Sequence, residues 1–245
     1  MLGTCGNLGD SLTIKPDDIR AVFADLSTDY DRISAWLSWG RLSAWQRALV
    51  QSLEMGPKKR ALDVCTGTGE VALALAARGM QVTAVDFCAP MLDLCRQKSQ
   101  TRGVTVEWLW GDALALPLPD DGFDGATVSF ALRNLTERLQ CFSELARVVR
   151  PGGRLALLEL SRPQNPLLGW GFDVYSQRVV PALARRFAGT RGPGVDRWDY
   201  FFASLKELPA PETIWRELHA TGWERVCHRH LMLGAVRLYV ADRKG

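Results

Sequence analysis

The sequence predicts an α/β protein built on a doubly wound, mostly parallel sheet, with an amino-terminal helical cover and an antiparallel carboxy-terminal hairpin. Three observations lead there. Short apolar runs alternate with helical patterns between residues 60 and 160, the rhythm of a parallel sheet with helices on both faces. A glycine turn, Thr66-Gly67-Thr68-Gly69, joins the first such run to the first such helix. Two apolar runs near the end are joined only by Met232-Leu233-Gly234, a connection short enough for an antiparallel pair.

Taken in order, residues 1–15 read as a loose tail, because the start lacks the basic, apolar, small-residue succession of a secretory signal. Residues 16–55 form the helical cover. Phe23, Leu26, Tyr30, Ile33 and Leu37, then Trp45, Leu49 and Leu53, recur at spacings suited to helices with one buried face. Gly56-Pro57-Lys58-Lys59 punctuates its end. Strand 60–65 leads through the glycine turn to helix 70–78. Strand 81–85, capped by Asp86, precedes helix 90–97, and strand 104–109 ends at Gly111-Asp112. Strand 125–129 and helix 136–149 follow. Pro151-Gly152-Gly153 is expected to stop that helix, having one residue without an N–H and two with permissive backbones. Strand 154–160 comes next, then helix 166–188, helix 212–221, and strands 224–230 and 235–242. No linker rich in proline, glycine or serine divides the chain, so 1–245 reads as one domain.

Composition narrows the function. Of 245 residues, 47% are hydrophobic and 23% charged, which is ordinary for a globular protein. The net charge of +3 is too mild to argue for nucleic acid. No apolar run approaches the roughly 18 residues of a membrane span. The six cysteines include no CxxC pair, which points to reduced thiols in a cytoplasmic protein. All three histidines come after position 218, so no metal centre is expected.

Gly67-Thr68-Gly69-Glu70-Val71-Ala72 matches G-x-G-x-x-A, a pattern shared by dinucleotide and S-adenosylmethionine enzymes. Asp86, 17 residues after Gly69, is placed to accept from both hydroxyls of a ribose and also fits either ligand. Charge favours the second. A pyrophosphate at a helix N-terminus wants bare N–H groups without a neighbouring anion. Here Asp63 precedes the turn and Glu70 opens the helix, an arrangement suited to a sulfonium and an ammonium. Asp112, beside Ala113, is an acceptor for an adenine amino group. Each acid taken singly also reads as a helix-cap or turn residue.

The segments DVCTGTGE, AVDFCAPML, GDALALPLPDDGFD, SFALRN and RVVRPGGRLALLELSRP resemble the UbiE/MenG/COQ5 family of quinone-biosynthesis C-methyltransferases. The likeness extends over nearly the whole chain after about Ala21, with SFALRN its most specific piece. It implies the seven-stranded, Rossmann-like class I methyltransferase fold, with cofactor contacts at Thr68, Asp86, Asp112, Ala113 and Ser129. With the turn itself, the expected S-adenosylmethionine set is Asp63, Thr66, Gly67, Thr68, Gly69, Asp86, Phe87, Asp112, Ala113 and Ser129. Residues 56–160 become the cofactor-binding core and 161–211 an acceptor-side insertion. Cys65 and Glu70 depart from the Ala or Gly and the Asp of many relatives. His230-Leu231-Met232-Leu233-Gly234-Ala235 replaces a polar, glycine-rich turn.

Methylating a ring carbon needs an electron-rich ring, so a quinol is a better acceptor than a quinone. Alignment, exclusion of water and stabilisation of an oxyanion are the protein's tasks. Arg133 is assigned to hold or polarise a ring oxygen, and Asn134 to share that role or brace the loop. A guanidinium stays charged, which argues against Arg133 as a simple base. The bland alternative for Arg133 is an ion pair with Glu137 or Glu144. Tyr30 and Asp31 in the cover, Asp173 and Tyr175 in the insertion, and His228 and His230 on one strand face are further candidates around the acceptor. Between 162 and 191 stand five arginines against Asp173 alone, interleaved with leucines and aromatics. That suits a peripheral contact with the inner face of a membrane; a solvated arginine face over ordinary core is the alternative. The expected partners are a lipophilic quinol, no nucleic acid and, as a possible assembly, a homodimer. The favoured activity is conversion of demethylmenaquinol to menaquinol. A ubiquinone-pathway benzoquinol, a small aromatic, amino-group exchange on a quinone, a catalytically silent cofactor-binding protein and a nicotinamide-dependent oxidoreductase are the rival readings.

Overall fold

The computed structural model describes residues 30–135, 137–181 and 208–245. The tail, Phe23 and Leu26 of the cover, Thr136, and Leu183, Arg185, Arg186, Phe187 and Arg191 of the basic segment lie outside the described residues, as do the side chains of Tyr30 and Ile33. The strands are β1 (Arg60–Val64), β2 (Gln81–Asp86), β3 (Glu107–Trp110), β4 (Phe123–Ser129), β5 (Val149–Leu160), β6 (Trp223–Leu231) and β7 (Val236–Arg243). They form one seven-stranded sheet in the order β3-β2-β1-β4-β5-β7-β6. The first five strands are parallel, while β7 runs antiparallel to both β5 and β6. The helices are α1 (Tyr30–Leu37), α2 (Leu42–Ser52), α3 (Glu70–Ala77), α4 (Ala89–Arg102), α5 (Arg138–Val148), α6 (Pro166–Val174) and α7 (Pro211–Ala220).

The central strands are apolar toward both faces because helices cover both. On one face Leu62, Val64, Leu155 and Leu157 pack with Phe142 and Leu145 of α5 and Ile214 and Leu218 of α7. On the other, Ala61, Ala84, Ala156 and Leu158 pack with Trp45 and Leu49 of α2 and Val71 and Leu75 of α3. Register then places the functional edge. Val64 lies opposite both Val85 and Val128, and Ser129 opposite Leu158. The segments that follow β1, β2, β4 and β5 therefore emerge side by side at the carboxyl edge. The order reverses at β1, the position where open α/β sheets gather ligands.

Two expectations need correction. Helix α5 ends at Val148, before Pro151-Gly152-Gly153, which falls inside the span of β5. Val149 pairs with Phe123 and Arg154 with Gly125, so Pro-Gly-Gly forms the bulge between those pairs. Proline has no ladder donor to give, and Gly152 sits at φ +73°. Helix α4 runs to Arg102, past the expected end at 97, and closes on Gly103 at φ +63°. Its buried residues, Met91, Leu92, Cys95 and Ser99, keep helical spacing, but the polar run Arg96–Arg102 hid the pattern. The expected helix from 166 begins as α6, capped by the Asn165 side chain, and passes into a π turn at Tyr175–Val179.

Candidate active site

The glycine turn leaves β1 through Cys65 at φ +56°, Gly67 at +55° and Gly69 at +81°. The two glycines serve different ends. A Cβ on Gly69 would stand 2.8 Å from Cys95 Sγ and from the Trp108 ring, so packing forbids a side chain there. A Cβ on Gly67 would meet nothing within 4 Å among the described residues, leaving the backbone open to close approach. The N–H groups of the turn are largely committed. Thr66 N donates to Val85 O (3.1 Å), Gly67 N to Asp86 Oδ2 (2.7 Å) and Gly69 N to Thr66 O (2.9 Å).

The acids around this turn do not sit as the charge argument supposed. Asp63 is 1% exposed and points inward, accepting from Thr66 Oγ1 (2.5 Å) and Thr127 Oγ1 (2.6 Å). Burial pushes its pKa up to about 6 against those hydrogen bonds. Glu70 is ion-paired with Lys98 (2.8 Å) and Arg102 (2.8 Å). Neither presents a bare negative charge to the turn. The physical obstacle to a pyrophosphate is instead the shortage of free donors, since an anion site at a helix N-terminus needs them.

Asp86 is buried at the end of β2 and also accepts from Cys88 N (2.9 Å). Burial raises its pKa, opposed by the N–H groups of Cys88, Gly67 and Phe87. Phe87 follows, its carbonyl accepting from the Trp110 indole (2.9 Å). One strand further out, Asp112 is exposed and turns the chain by accepting from Leu114 N (2.9 Å), with Ala113 buried beside it. Thr68 Oγ1 donates to Asp31 (2.6 Å), and Lys98 ties Asp31, Glu70 and the Thr68 carbonyl together. Helix α1 of the cover is thereby fastened to the turn.

Across β1, the end of β4 completes the site. Ser129 Oγ is buried and finds no hydrogen-bond partner among the described residues, an expensive state for a hydroxyl. Phe130 adopts φ +56°, unusual outside glycine, and the chain then enters a 3₁₀ turn over Leu132–Asn134. Arg133 Nη1 donates to Phe130 O (3.0 Å) and Glu159 Oε1 (3.0 Å), with the two side chains 7% and 2% exposed. Its carboxylate partner is thus neither Glu137 nor Glu144. Glu159 also accepts from Leu132 N and Leu160 N (both 2.8 Å), pinning the turn to β5.

The remaining candidates stand apart from this group. Asp173 is held by Arg162 through both its oxygens, and that guanidinium keeps its pKa below the usual carboxylate range. The Tyr175 hydroxyl accepts from Trp39 Nε1 (3.1 Å) and donates to Leu37 O (3.4 Å), joining α6 to the cover. His228 and His230 sit on β6, four strand positions from β1, or roughly 19 Å along the sheet. Arg237 Nη1 lies 3.0 Å from His228 Nε2. A guanidinium only donates, so that nitrogen accepts and the His228 proton resides on Nδ1. Burial, Arg237 and His230 lower the His228 pKa.

Three residues escaped the sequence reading. Glu159 left a usable signal, an acid on the face that β5 shares with Leu155 and Leu157. Thr127 left none, since a threonine in a strand is unremarkable. Lys98 was masked by the polar run of α4.

A model of the ubiE/COQ5 methyltransferase family matches residues 12–243. The chain belongs to that family. It is an S-adenosylmethionine-dependent methyltransferase, and the nicotinamide-dependent reading falls away. It is 39% identical over 225 residues to a demethylmenaquinone methyltransferase of Thermus thermophilus, covering 91% of this chain and 100% of that one. A ubiquinone/menaquinone biosynthesis C-methyltransferase of Dinoroseobacter shibae is 33% identical over 93% of this chain and 92% of its own. A 2-phytyl-1,4-naphtoquinone methyltransferase of Thermosynechococcus vestitus is 35% identical over 92% and 99%. Among solved structures, a methyltransferase from Aquifex aeolicus superposes with a TM-score of 0.62 at 20% identity, covering 87% of this chain and 97% of that one. The [4+2]-cyclase SpnF does so with 0.61 at 18%, covering 82% and 80%. The methyltransferase's fold is therefore no guide to its acceptor, which has to be argued from the site.

Proposed function

We propose that this methyltransferase carries a methyl group to a ring carbon of a polyprenylated quinol, with demethylmenaquinol as the favoured acceptor. The observation that carries the reading is the juxtaposition, at one sheet edge, of Asp86 and the open Gly67 backbone with Arg133, whose side chain is 7% exposed. The residues fit the methyl donor. Asp86 would hold the two ribose hydroxyls and Asp112 and Ala113 the adenine, and the buried Ser129 Oγ would gain a partner there. Thr66, Gly67, Thr68, Gly69 and Phe87 shape the cradle, while Asp63 braces it from below through Thr66. When bound, S-adenosylmethionine supplies a methyl group on a positively charged sulfur.

The chain's own residues have three tasks. Arg133 presents its guanidinium to a ring oxygen, stabilising the negative charge that makes the neighbouring carbon nucleophilic. Glu159 holds that guanidinium in place and Asn134 braces the same turn. The ring carbon would take the methyl group from sulfur, leaving the neutral thioether, and the ring hydrogen would depart as a proton to water. Arg133 stays protonated throughout. Helix α1, fastened through Asp31 to Thr68, excludes bulk water from the donor.

Demethylmenaquinol is preferred because the Thermus thermophilus relative, at 39% identity, is named a demethylmenaquinone methyltransferase, and the reduced ring is the nucleophilic form. A ubiquinone-pathway benzoquinol is the second reading, favoured by the name of the Dinoroseobacter shibae relative. Competition between the two reduced acceptors in one reaction decides. Preference for demethylmenaquinol by kcat/KM supports the reading, and preference for the benzoquinol replaces it.

A further inference from the structure

A buried cation with an unused donor stands near Arg133. Arg237, the second residue of β7, is 0% exposed. Its Nε donates to Ser161 Oγ (2.9 Å) and its Nη1 to His228 Nε2 (3.0 Å), while Nη2 finds no hydrogen-bond partner among the described residues. Neither partner is a carboxylate. A buried charge is costly unless paired and hydrogen-bonded, and an orphaned buried donor calls for an explanation. Register brings this group to the site. Glu159 pairs with Arg237 across β5 and β7, one step from Leu160 and Val236, the last pair at the carboxyl edge. Paired residues share a face, here the one covered by α5 and α7. Ser161 extends the same row two residues beyond Glu159, its N–H donating to Ala235 O (3.0 Å). Both guanidinium groups are therefore anchored over the end of β5, Arg133 on Glu159 and Arg237 on Ser161, positions roughly 7 Å apart along a strand. The charges there do not balance. Glu159 neutralises Arg133. His228, held below the usual imidazole range by burial, Arg237 and His230, adds no charge. Tyr239, pushed up to about 12 by burial, keeps its proton. Glu212 is exposed and accepts from Gln164 Nε2 (3.3 Å). The positive charge of Arg237 is left over.

We propose that Arg237 is a second oxygen-binding residue of the acceptor site, with Arg133 on the ring oxygen beside the methylated carbon and Arg237 Nη2 on the ring's other oxygen. This rests on the quinol reading and deepens it: the acceptor is a ring with two oxygens, held at both. A guanidinium only donates, so the group it receives is an oxygen with a free lone pair, best of all an oxyanion. A singly ionised diol satisfies the orphaned Nη2 and supplies the negative charge that the group lacks. Two anchored oxygens also fix the ring in its plane, which decides the carbon that faces the methyl group. Arg133 alone would take any phenol, whereas the pair selects a ring oxygenated twice. His228 has a supporting part, since its Nε2 accepts from Nη1 and holds the guanidinium flat against the sheet end.

The test sets a deletion in the substrate against a deletion in the side chain. Two water-soluble acceptors are compared under reducing conditions with the full-length protein: a short-tailed 1,4-naphthalenediol, and the 1-naphthol that keeps just the oxygen beside the methylated carbon. The wild type is expected to favour the diol by about a hundredfold in kcat/KM, because a site built to bond an oxygen rejects the analogue that lacks it. Arg237→Met is expected to lower kcat/KM for the diol by about ten- to a hundredfold, mainly through KM, and to leave the naphthol within about threefold. The preference for the diol then falls at least about tenfold, and Arg237→Lys restores part of it. The preference compares two acceptors on the same folded protein, so a loss of stability does not imitate the effect. Equal use of both acceptors by the wild type overturns the proposal without any variant. Arg237→Met lowering both acceptors by one factor overturns it too, and so does Arg237→Lys with an unchanged preference should the methionine variant not fold. Failure of the wild type to methylate any diol sinks the quinol reading and this inference with it. Turnover of the diol with an unchanged preference in the variants sinks this inference alone.

Discussion

Glu159→Gln keeps the shape of the β5 end and removes the charge that holds Arg133. In the native protein one Glu159 oxygen serves Arg133 and Leu160 N, and the other serves Leu132 N. A glutamine amide accepts on one side only, so either the guanidinium or a backbone N–H then faces another donor. Breaking a buried ion pair by removing one partner costs about 3–5 kcal/mol, because the other charge stays behind unpaired. With a urea m-value of roughly 2–3 kcal/mol/M for a chain this long, the midpoint should fall by about 1–2 M. Turnover at saturating quinol should drop about tenfold or more, as a misdirected donor no longer meets the ring oxygen. The partner experiment removes both charges. Arg133→Met with Glu159→Gln should recover part of the lost stability, since no charge is left behind and the amide oxygen still accepts from a backbone N–H, yet remain inactive. A Glu159→Gln midpoint within error of wild type, or a double variant with normal turnover, would refute the role given to this pair.

Other consequences follow from the same geometry. Asp86→Asn should weaken S-adenosylhomocysteine binding by about ten- to a hundredfold in calorimetry, through the loss of charge-assisted bonds. Asp63 has a folded pKa of about 6 against a reference of 3.8. Its contribution to stability is therefore complete below about pH 4 and is lost as pH rises toward about 6. Asp63→Asn should gain on wild type by about 3 kcal/mol across that window, measured as the difference between their urea midpoints, and a constant difference would contradict the burial argument. Gly69→Ala adds a Cβ 2.8 Å from Cys95 Sγ and Trp108 at a left-handed φ, and should lower thermal stability by about 2–4 kcal/mol.

Much of the fold was legible because it is written in alternation: RALDV, QVTAV and LALLEL are short apolar strands between helical stretches. Boundaries failed where local chemistry misled, as with Pro151-Gly152-Gly153, a helix stop by residue type that the structure uses as a bulge. The turn from Thr66 to Gly69 and Asp86 could be singled out from spacing, and Arg133 from its place after the fourth strand together with the SFALRN resemblance. Their electrostatics could not. Lys98 and Arg102 reach Glu70 from 28 and 32 residues away in sequence, and Thr127 reaches Asp63 across the sheet. Such partners depend on which strands pair. The charge preference read from Asp63 and Glu70 thus gave way to one based on committed N–H donors.

The most direct test combines the pure protein, S-adenosylmethionine carrying a deuterated methyl group, and demethylmenaquinone in its reduced or oxidised form, with the product read by mass spectrometry and fragmentation. The account predicts label on a ring carbon, formed only from the reduced acceptor and abolished by Arg133→Met. Label on oxygen, or equal transfer to the oxidised ring, would contradict it.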